Sequence, residues 1–225
     1  MFSGHFGLAF ASKRAAPKTS LATLVLAAQW LDTLWPVFLL LGVEHVRIAP
    51  GNTRLTPLDF YDYPWSHSAV MAALWGVAFG VVHFALKRSR RTAALLAALV
   101  FSHWVLDLLT HGPDLPLWPG GPRVGLGLWN APAAEVLLEA AIYFGGAAVY
   151  FRTTRPRDRV GRIGAWVFAA LIPILHVASS AGPPPPSVGA LAWMAALLPW
   201  PFLLLAWWFD RHREPTEPAA TLRAR

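Results

Sequence analysis

No cysteine occurs among the 225 residues. Disulfide frameworks, thiolate zinc sites and thiol nucleophiles are thereby excluded, and any bound metal must be held by His and carboxylates. Charge is scarce too: 14% of residues are Asp, Glu, Lys or Arg, against roughly 25% in soluble domains. So little charge does not cover a soluble globule of this length. The first twelve residues hold no Lys or Arg, which excludes a secretory signal peptide. What is abundant is apolar: 56% of the chain, against about 45–50% in soluble domains. These residues gather into runs of membrane-spanning length, which also excludes intrinsic disorder.

Six windows of about 20 mainly apolar residues, 21–43, 66–86, 92–112, 132–151, 162–180 and 188–209, predict membrane-spanning helices. In lipid every backbone polar group must be paired internally. The expected fold class is therefore all-α, a polytopic membrane helix bundle of about six transmembrane helices in one domain, 1–210. Gly76 and Gly80 form a small-xxx-small pair that either lets another helix approach closely or arises by chance in a Gly- and Ala-rich run. Residues 211–225, with Pro215, Pro218 and mixed charges, read as a disordered cytoplasmic tail, and Pro183 to Pro186 as a stiff turn.

The net charge of +7 carries topology. Lys13, Arg14 and Lys18 precede the first span, and Lys87, Arg88, Arg90 and Arg91 join the second to the third. Arg152, Arg155, Arg157, Arg159 and Arg162 join the fourth to the fifth, and Arg211, Arg213, Arg223 and Arg225 lie in the tail. The opposite side has Arg47, Arg54 and Arg123. By the positive-inside rule the basic loops and the C-terminus are cytoplasmic. This bias requires no nucleic-acid partner; anionic membrane lipids are the expected electrostatic one. Residues 1–12 are apolar through Phe2, Phe6, Leu8 and Phe10, but too short to cross about 30 Å of hydrocarbon at 1.5 Å per helical residue. They are expected to form a re-entrant or half-membrane segment that carries His5 inward, surrounded by protein.

Ionisable side chains inside spans cost several kcal/mol at mid-membrane unless they are paired or metal-bound. The third span carries the densest group, Ser102-His103-Trp-Val-Leu-Asp107-Leu-Leu-Thr110-His111-Gly-Pro-Asp114. Steps of four residues advance about 40° round a helix, so His103, Asp107 and His111 share a face. A His and a carboxylate one turn apart either share a metal ion or hydrogen-bond to each other, and spacing alone weighs the two equally. The other candidates are Asp32 in the first span, His67 at the start of the second, and Glu135 and Glu139 in the fourth. With the loop acids Glu44, Asp59, Asp62 and Asp114 they predict a polar cavity opening outward. His83 reads as interfacial and His176 as a lone packed histidine. Trp65, Trp118, Trp129, Trp207 and Trp208, near span ends, read as interfacial anchors.

Four blocks in order resemble those of a family of bacterial inner-membrane proteins described as predicted membrane-bound metal-dependent hydrolases. They are Ser3-Gly4-His5, Asp32, Ser66-His67-Ser68, and the run from Ser102 to Thr110 followed by Leu117-Trp118-Pro119. The resemblance covers residues 1–119. Tyr63-Pro64-Trp65 stands where the family usually has an Arg-Gly step, and Asp32 stands alone where paired aspartates are usual. The resemblance implies a metal-dependent hydrolase of the bacterial inner membrane, with His5, His67, His103 and Asp107 as ligands and Asp32 as a further ligand or an orienting carboxylate. Zinc is favoured by the histidines, and manganese or iron also suits a mixed His and carboxylate set. Glu135 or Asp62 is then expected as the catalytic general base. His111 and Asp114 would orient the ligands or meet substrate, a hydrophobic or lipid-linked ester, amide or phosphoester. Two rival readings stand beside it: a transporter or permease using the intramembrane His and carboxylates as a proton or cation pathway, and a non-catalytic adaptor stapled by metal.

Overall fold

In the computed structural model, which describes residues 1–216, the apolar runs form helices, five of which start at a side-chain cap. First come α1 (Ser3–Ser12), α2 (Leu21–Ala28) and α3 (Trp30–Leu40). A hairpin of β1 (His45–Ile48) and β2 (Leu58–Asp62) leads through the single turn α4 (Pro64–His67) to the long helices α5 (Ala69–Lys87) and α6 (Arg90–Thr110). The two-residue strands β3 (Leu115–Pro116) and β4 (Arg123–Val124) precede α7 (Pro132–Thr153) and β5 (Thr154–Pro156). Then follow α8 (Arg159–Ala181), α9 (Val188–Leu197), α10 (Pro199–Asp210) and β6 (Arg213–Pro215). Ser20, Ser68, Ser89, Asp158 and Ser187 each accept the backbone N–H three residues on, closing a helix start.

The chain is mostly helical. α5, α6, α7, α8 and the α9–α10 run are each long and apolar enough to cross a membrane, and the α2–α3 pair adds a sixth span if it is taken as one. This is the polytopic bundle that composition predicted. Val70, Leu74, Val77 and Val81 on α5 are exposed, as a lipid-facing surface requires. Its other face meets α6, where a Cβ at Gly76 or Gly80 would fall 2.6 or 2.8 Å from the carbonyl of Ala97 or Ala93. The small-residue pair is therefore used for close helix packing.

Two expectations are corrected. The run 21–43 is not one continuous helix: α2 and α3 are bent by 57°, with Gln29 between them at φ −102° and ψ 14°. The Ala28 carbonyl, which an unbroken helix would give to the Asp32 N–H, faces His103 Nδ1 at 2.7 Å, and Pro36 has no N–H for the Asp32 carbonyl. Nor is 211–225 disordered from its start. β6 pairs antiparallel with β5, and buried Arg213 donates to Thr154 Oγ1, Thr154 O and Gly161 O. Residues 217–225 of that tail lie outside the described residues. The loop at 45–62, read only as a loop between helices, is a hairpin, with Ile48 opposite Leu58, Arg47 opposite Asp59 and a register shift between Arg47 and His45, around a Gly51-Asn52 bend.

α1 positions the site. Ser3, Gly4, His5, Phe6, Gly7, Ala9 and Phe10 are buried, with α2, α6, α7 and α8 around them. Against α7 the approach is backbone to backbone: a Cβ at Gly146 would run into the Gly7 carbonyl, and one at Gly7 would sit 2.5 Å from the Ile142 carbonyl. At its far end Lys13 Nζ pairs with Asp210 Oδ2 at 2.6 Å, buried on both sides. Asp210 also accepts from Tyr150 Oη and Leu21 N, which ties α1, α2, α7 and α10 together.

Candidate metal centre

Asp107 is the hub of the polar interior. It lies on α6 one turn beyond His103, and both are buried. His103 Nε2 is 3.2 Å from Asp107 Oδ2 and 3.6 Å from Asp32 Oδ1. His67 Nε2 is 3.4 Å from Asp32 Oδ1 and 3.8 Å from Asp107 Oδ2. His5 Nε2 is 3.2 Å from Asp107 Oδ1, and its ring stacks on that of His103 with centroids 3.6 Å apart. The Met1 nitrogen is 2.7 Å from Asp107 Oδ1 and 3.1 Å from Thr110 Oγ1. His5, His103 and Asp107 sit within regular helices, whereas Asp32 and His67 owe their places to local irregularities. The break before α3 turns Asp32 inward, and the step between α4 and α5, where Ser68 caps the new helix, does the same for His67.

Hydrogen bonds on the outer nitrogens fix how the rings face the centre. His103 Nδ1 faces only a carbonyl, Ala28 O, so it carries a proton and leaves Nε2 as the nitrogen turned to the centre. Ser66 Oγ lies 2.7 Å from both Glu44 Oε2 and His67 Nδ1. The carboxylate can only accept, so the hydroxyl donates to Glu44 and accepts from His67 Nδ1–H, leaving His67 Nε2 turned to the centre as well. His111 Nδ1 meets Asp114 Oδ1 at 2.9 Å, with Tyr63 Oη donating to the same oxygen. His111 Nε2 then faces Asp107 Oδ2 from 4.0 Å. Burial, reinforced by the Asp114 and Asp107 charges, holds the Tyr63 hydroxyl well above its usual range, which keeps it a donor. Burial also raises the Glu44 carboxyl, against the donors from Ser66 and Trp65.

The donor atoms of His67, His103 and Asp107 lie within 4.8 Å of one another, as do those of His5, Asp32 and His103. Ligands bound at 2.0–2.2 Å stand about 3–4.4 Å apart, so shifts below an ångström bring either triad onto one ion. The five side chains named from the sequence as ligands thus come together. The two named as general base do not join them. Asp62 pairs with His45 at 2.8 Å on the exposed hairpin. Glu135 is grouped with Glu139 and His176, which makes His176 a member of a polar cluster rather than a lone packed ring. Sequence reasoning gave Glu44 and Ala28 no role in orienting histidines. The signal available for Glu44 was the hairpin, whose closure returns the chain from residue 44 to residues 65–66.

Asp32 is the carboxylate nearest an opening: its side chain is 39% exposed, against 3% for Asp107. It borders an apolar groove of about 200 Å³ whose walls include Phe6, Leu26, Trp35, Leu198 and Phe202. Among known proteins, no curated protein and no solved structure matches the chain. One family model, described as YdjM inner membrane protein, matches residues 52–182, more than half of the chain, a stretch that includes His67, His103 and Asp107 but not His5 or Asp32.

Proposed function

The chain belongs to the YdjM inner membrane protein family, and from that and its buried His and Asp cluster we propose that it is a divalent-metal-dependent hydrolase of the membrane. One observation carries the reading. His103 Nε2, buried and without a hydrogen-bond partner among the described residues, is turned toward two carboxylates at 3.2 and 3.6 Å. The Met1 ammonium meets Asp107 at Oδ1 only, so Asp107 Oδ2, Asp32 Oδ1 and the Nε2 atoms of His67 and His103 converge in a low-dielectric interior, an arrangement that a bound cation would stabilise. His67, His103 and Asp107 would hold the ion, with His5 and Asp32 completing or orienting the set. Three imidazoles favour zinc, while manganese and iron suit the carboxylates. Such an ion lowers the pKa of a coordinated water to about 7 and polarises an ester, amide or phosphoryl oxygen. Asp32, facing the groove, would take up a proton released there. The groove's hydrocarbon walls fit a substrate with an acyl chain, such as an envelope-lipid ester, amide or phosphoester. The charge bias of the loops supports a cytoplasmic basic end and a site in the outer half.

Purified protein in mild detergent is expected to lose about one equivalent of metal on His103→Ala, and with it the cleavage of one member of a panel of lipid esters, amides and phosphoesters. A content below about 0.2 equivalents, unchanged in the variant, would overturn the reading, because intact sites of this kind bind tightly. The break between α2 and α3 beside Asp32 favours a second reading, a transporter, since discontinuous helices build ion sites there. Proteoliposomes that move protons or cations down a gradient while cleaving nothing in the panel would select it.

A further inference from the structure

A second polar cluster lies on the other side of α1. Glu135 and Glu139 stand one turn apart on α7, His176 reaches them from α8, and their donor atoms lie within 4.8 Å of one another. All three are buried, Glu135 and Glu139 to 1% exposure and His176 to 7%. They border a cavity of about 660 Å³ that Ser179, Ser180 and Trp129 also line.

Pairing among the three is incomplete, because two carboxylates stand against one imidazole. Glu139 accepts Phe2 N–H at Oε1 (2.7 Å), and Ser3 Oγ–H (2.6 Å) and Gly4 N–H (2.7 Å) at Oε2. With three donors turned toward it, Glu139 is a carboxylate, and one lone pair of Oε1 remains free. Glu135 Oε2 and His176 Nε2 have no hydrogen-bond partner among the described residues. They stand 3.4 Å apart, within ion-pair distance but without the alignment of a hydrogen bond. Two carboxylates and an unpartnered imidazole, buried and converging, form the donor set of a divalent cation.

We propose that Glu135, Glu139 and His176 bind a second divalent cation, at the wall of the 660 Å³ cavity and distinct from the centre around Asp107. Glu139 gives the ion its remaining Oε1 lone pair while its other lone pairs hold the first turn of α1. Met1 and His5, at the ends of that turn, touch Asp107, so the two sites share α1 as a common wall.

The test is a stoichiometry measured on the full-length protein in detergent, stripped with chelator and titrated with Co²⁺ under visible absorption and with Mn²⁺ under electron paramagnetic resonance. The wild type is expected to take up two ions. Glu135→Gln, isosteric and able to keep the fold, and His176→Gln should each remove one ion while leaving the spectrum of the His-rich centre unchanged. His103→Ala should remove the other. Uptake and spectra unchanged in Glu135→Gln would overturn the proposal, as would a single wild-type ion that His103→Ala abolishes. Should the centre around Asp107 bind nothing, the wild type would hold one ion, insensitive to His103→Ala and lost in Glu135→Gln. Failure of the hydrolase reading is thus distinct from failure of this one.

Discussion

Glu44→Gln removes one charge and replaces an acceptor oxygen by an NH₂ donor, and where that donor points decides the tautomer of His67. In the native protein Glu44 Oε1 accepts the Trp65 and Ser66 N–H groups at 2.7 Å each, while Oε2 accepts the Ser66 hydroxyl. In the variant the amide oxygen must stay on the two backbone donors, so the NH₂ group faces Ser66 Oγ. The hydroxyl then accepts from the amide and turns its hydrogen toward His67 Nδ1, which moves the ring proton to Nε2. That proton points at Asp32 and Asp107 and fills the lone pair a metal needs. Loss of such an outer hydrogen bond typically lowers metal affinity about 10–100-fold, or about 1.4–2.7 kcal/mol. Ser66→Ala deletes the relay without imposing the wrong tautomer, so its loss should be smaller. Adding Glu44→Gln to Ser66→Ala should then change little. Competition for Zn²⁺ against a chromophoric chelator measures all three variants, with thermal unfolding as the check on the hairpin. Native affinity in Glu44→Gln, or losses that simply add in the double variant, would refute the relay.

Lys13→Met strands the Asp210 carboxylate in the interior. It should destabilise the protein by about 3–5 kcal/mol in denaturant titration, and a change within about 0.5 kcal/mol would show the pair to be solvated. Gly146→Ala sets a Cβ against the Gly7 carbonyl, displaces α1 and should weaken metal binding through His5. Gly145→Ala, with nothing within 4 Å of the new Cβ, should bind like the native chain and serves as the control. Asp158 has its carboxyl held below the usual range by the Gly161 N–H and by His212. Its contribution is therefore present above the unfolded pKa of about 3.9 and is lost as pH falls through the lower folded value. The melting-temperature gap between the native chain and Asp158→Asn should be seen at pH 7 and vanish at strongly acid pH; a gap that persists there counts against the ionic part of the cap.

What was legible in the sequence was local. Bilayer thickness sets the length of α5 to α8, so apolar runs reveal them, and the four-residue step puts His103, Asp107 and His111 on one face without knowledge of any neighbour. The break at Gln29 was not legible, because its compensation, His103 Nδ1 on Ala28 O, comes from a residue 75 positions away. Glu135 and His176 share no sequence pattern, so their pairing emerges only when α7 and α8 lie side by side. Arg213-Glu214-Pro215 looks like linker composition, yet Glu214 finds Arg155 at 2.7 Å and Arg157 at 3.3 Å across the β5–β6 ladder. Two residues with no shared period were also needed to see Glu44, which works through a hydroxyl on the far side of a hairpin.

The glycine contact between α1 and α7 has a biosynthetic consequence. α1 is synthesised before everything that holds it: Asp107 on α6, Glu139 and Gly146 on α7, and Asp210 on α10. Until α7 is in the bilayer, the Phe2 and Gly4 N–H groups and the Ser3 hydroxyl lack their acceptor, and hydrocarbon offers none. The segment must therefore wait at the interface, where Phe2, Phe6 and Phe10 can rest among headgroups while its polar atoms stay wet. Completion of the centre is then a late step of membrane insertion, and nascent chains arrested before residue 146 should leave α1 open to water-soluble labelling reagents.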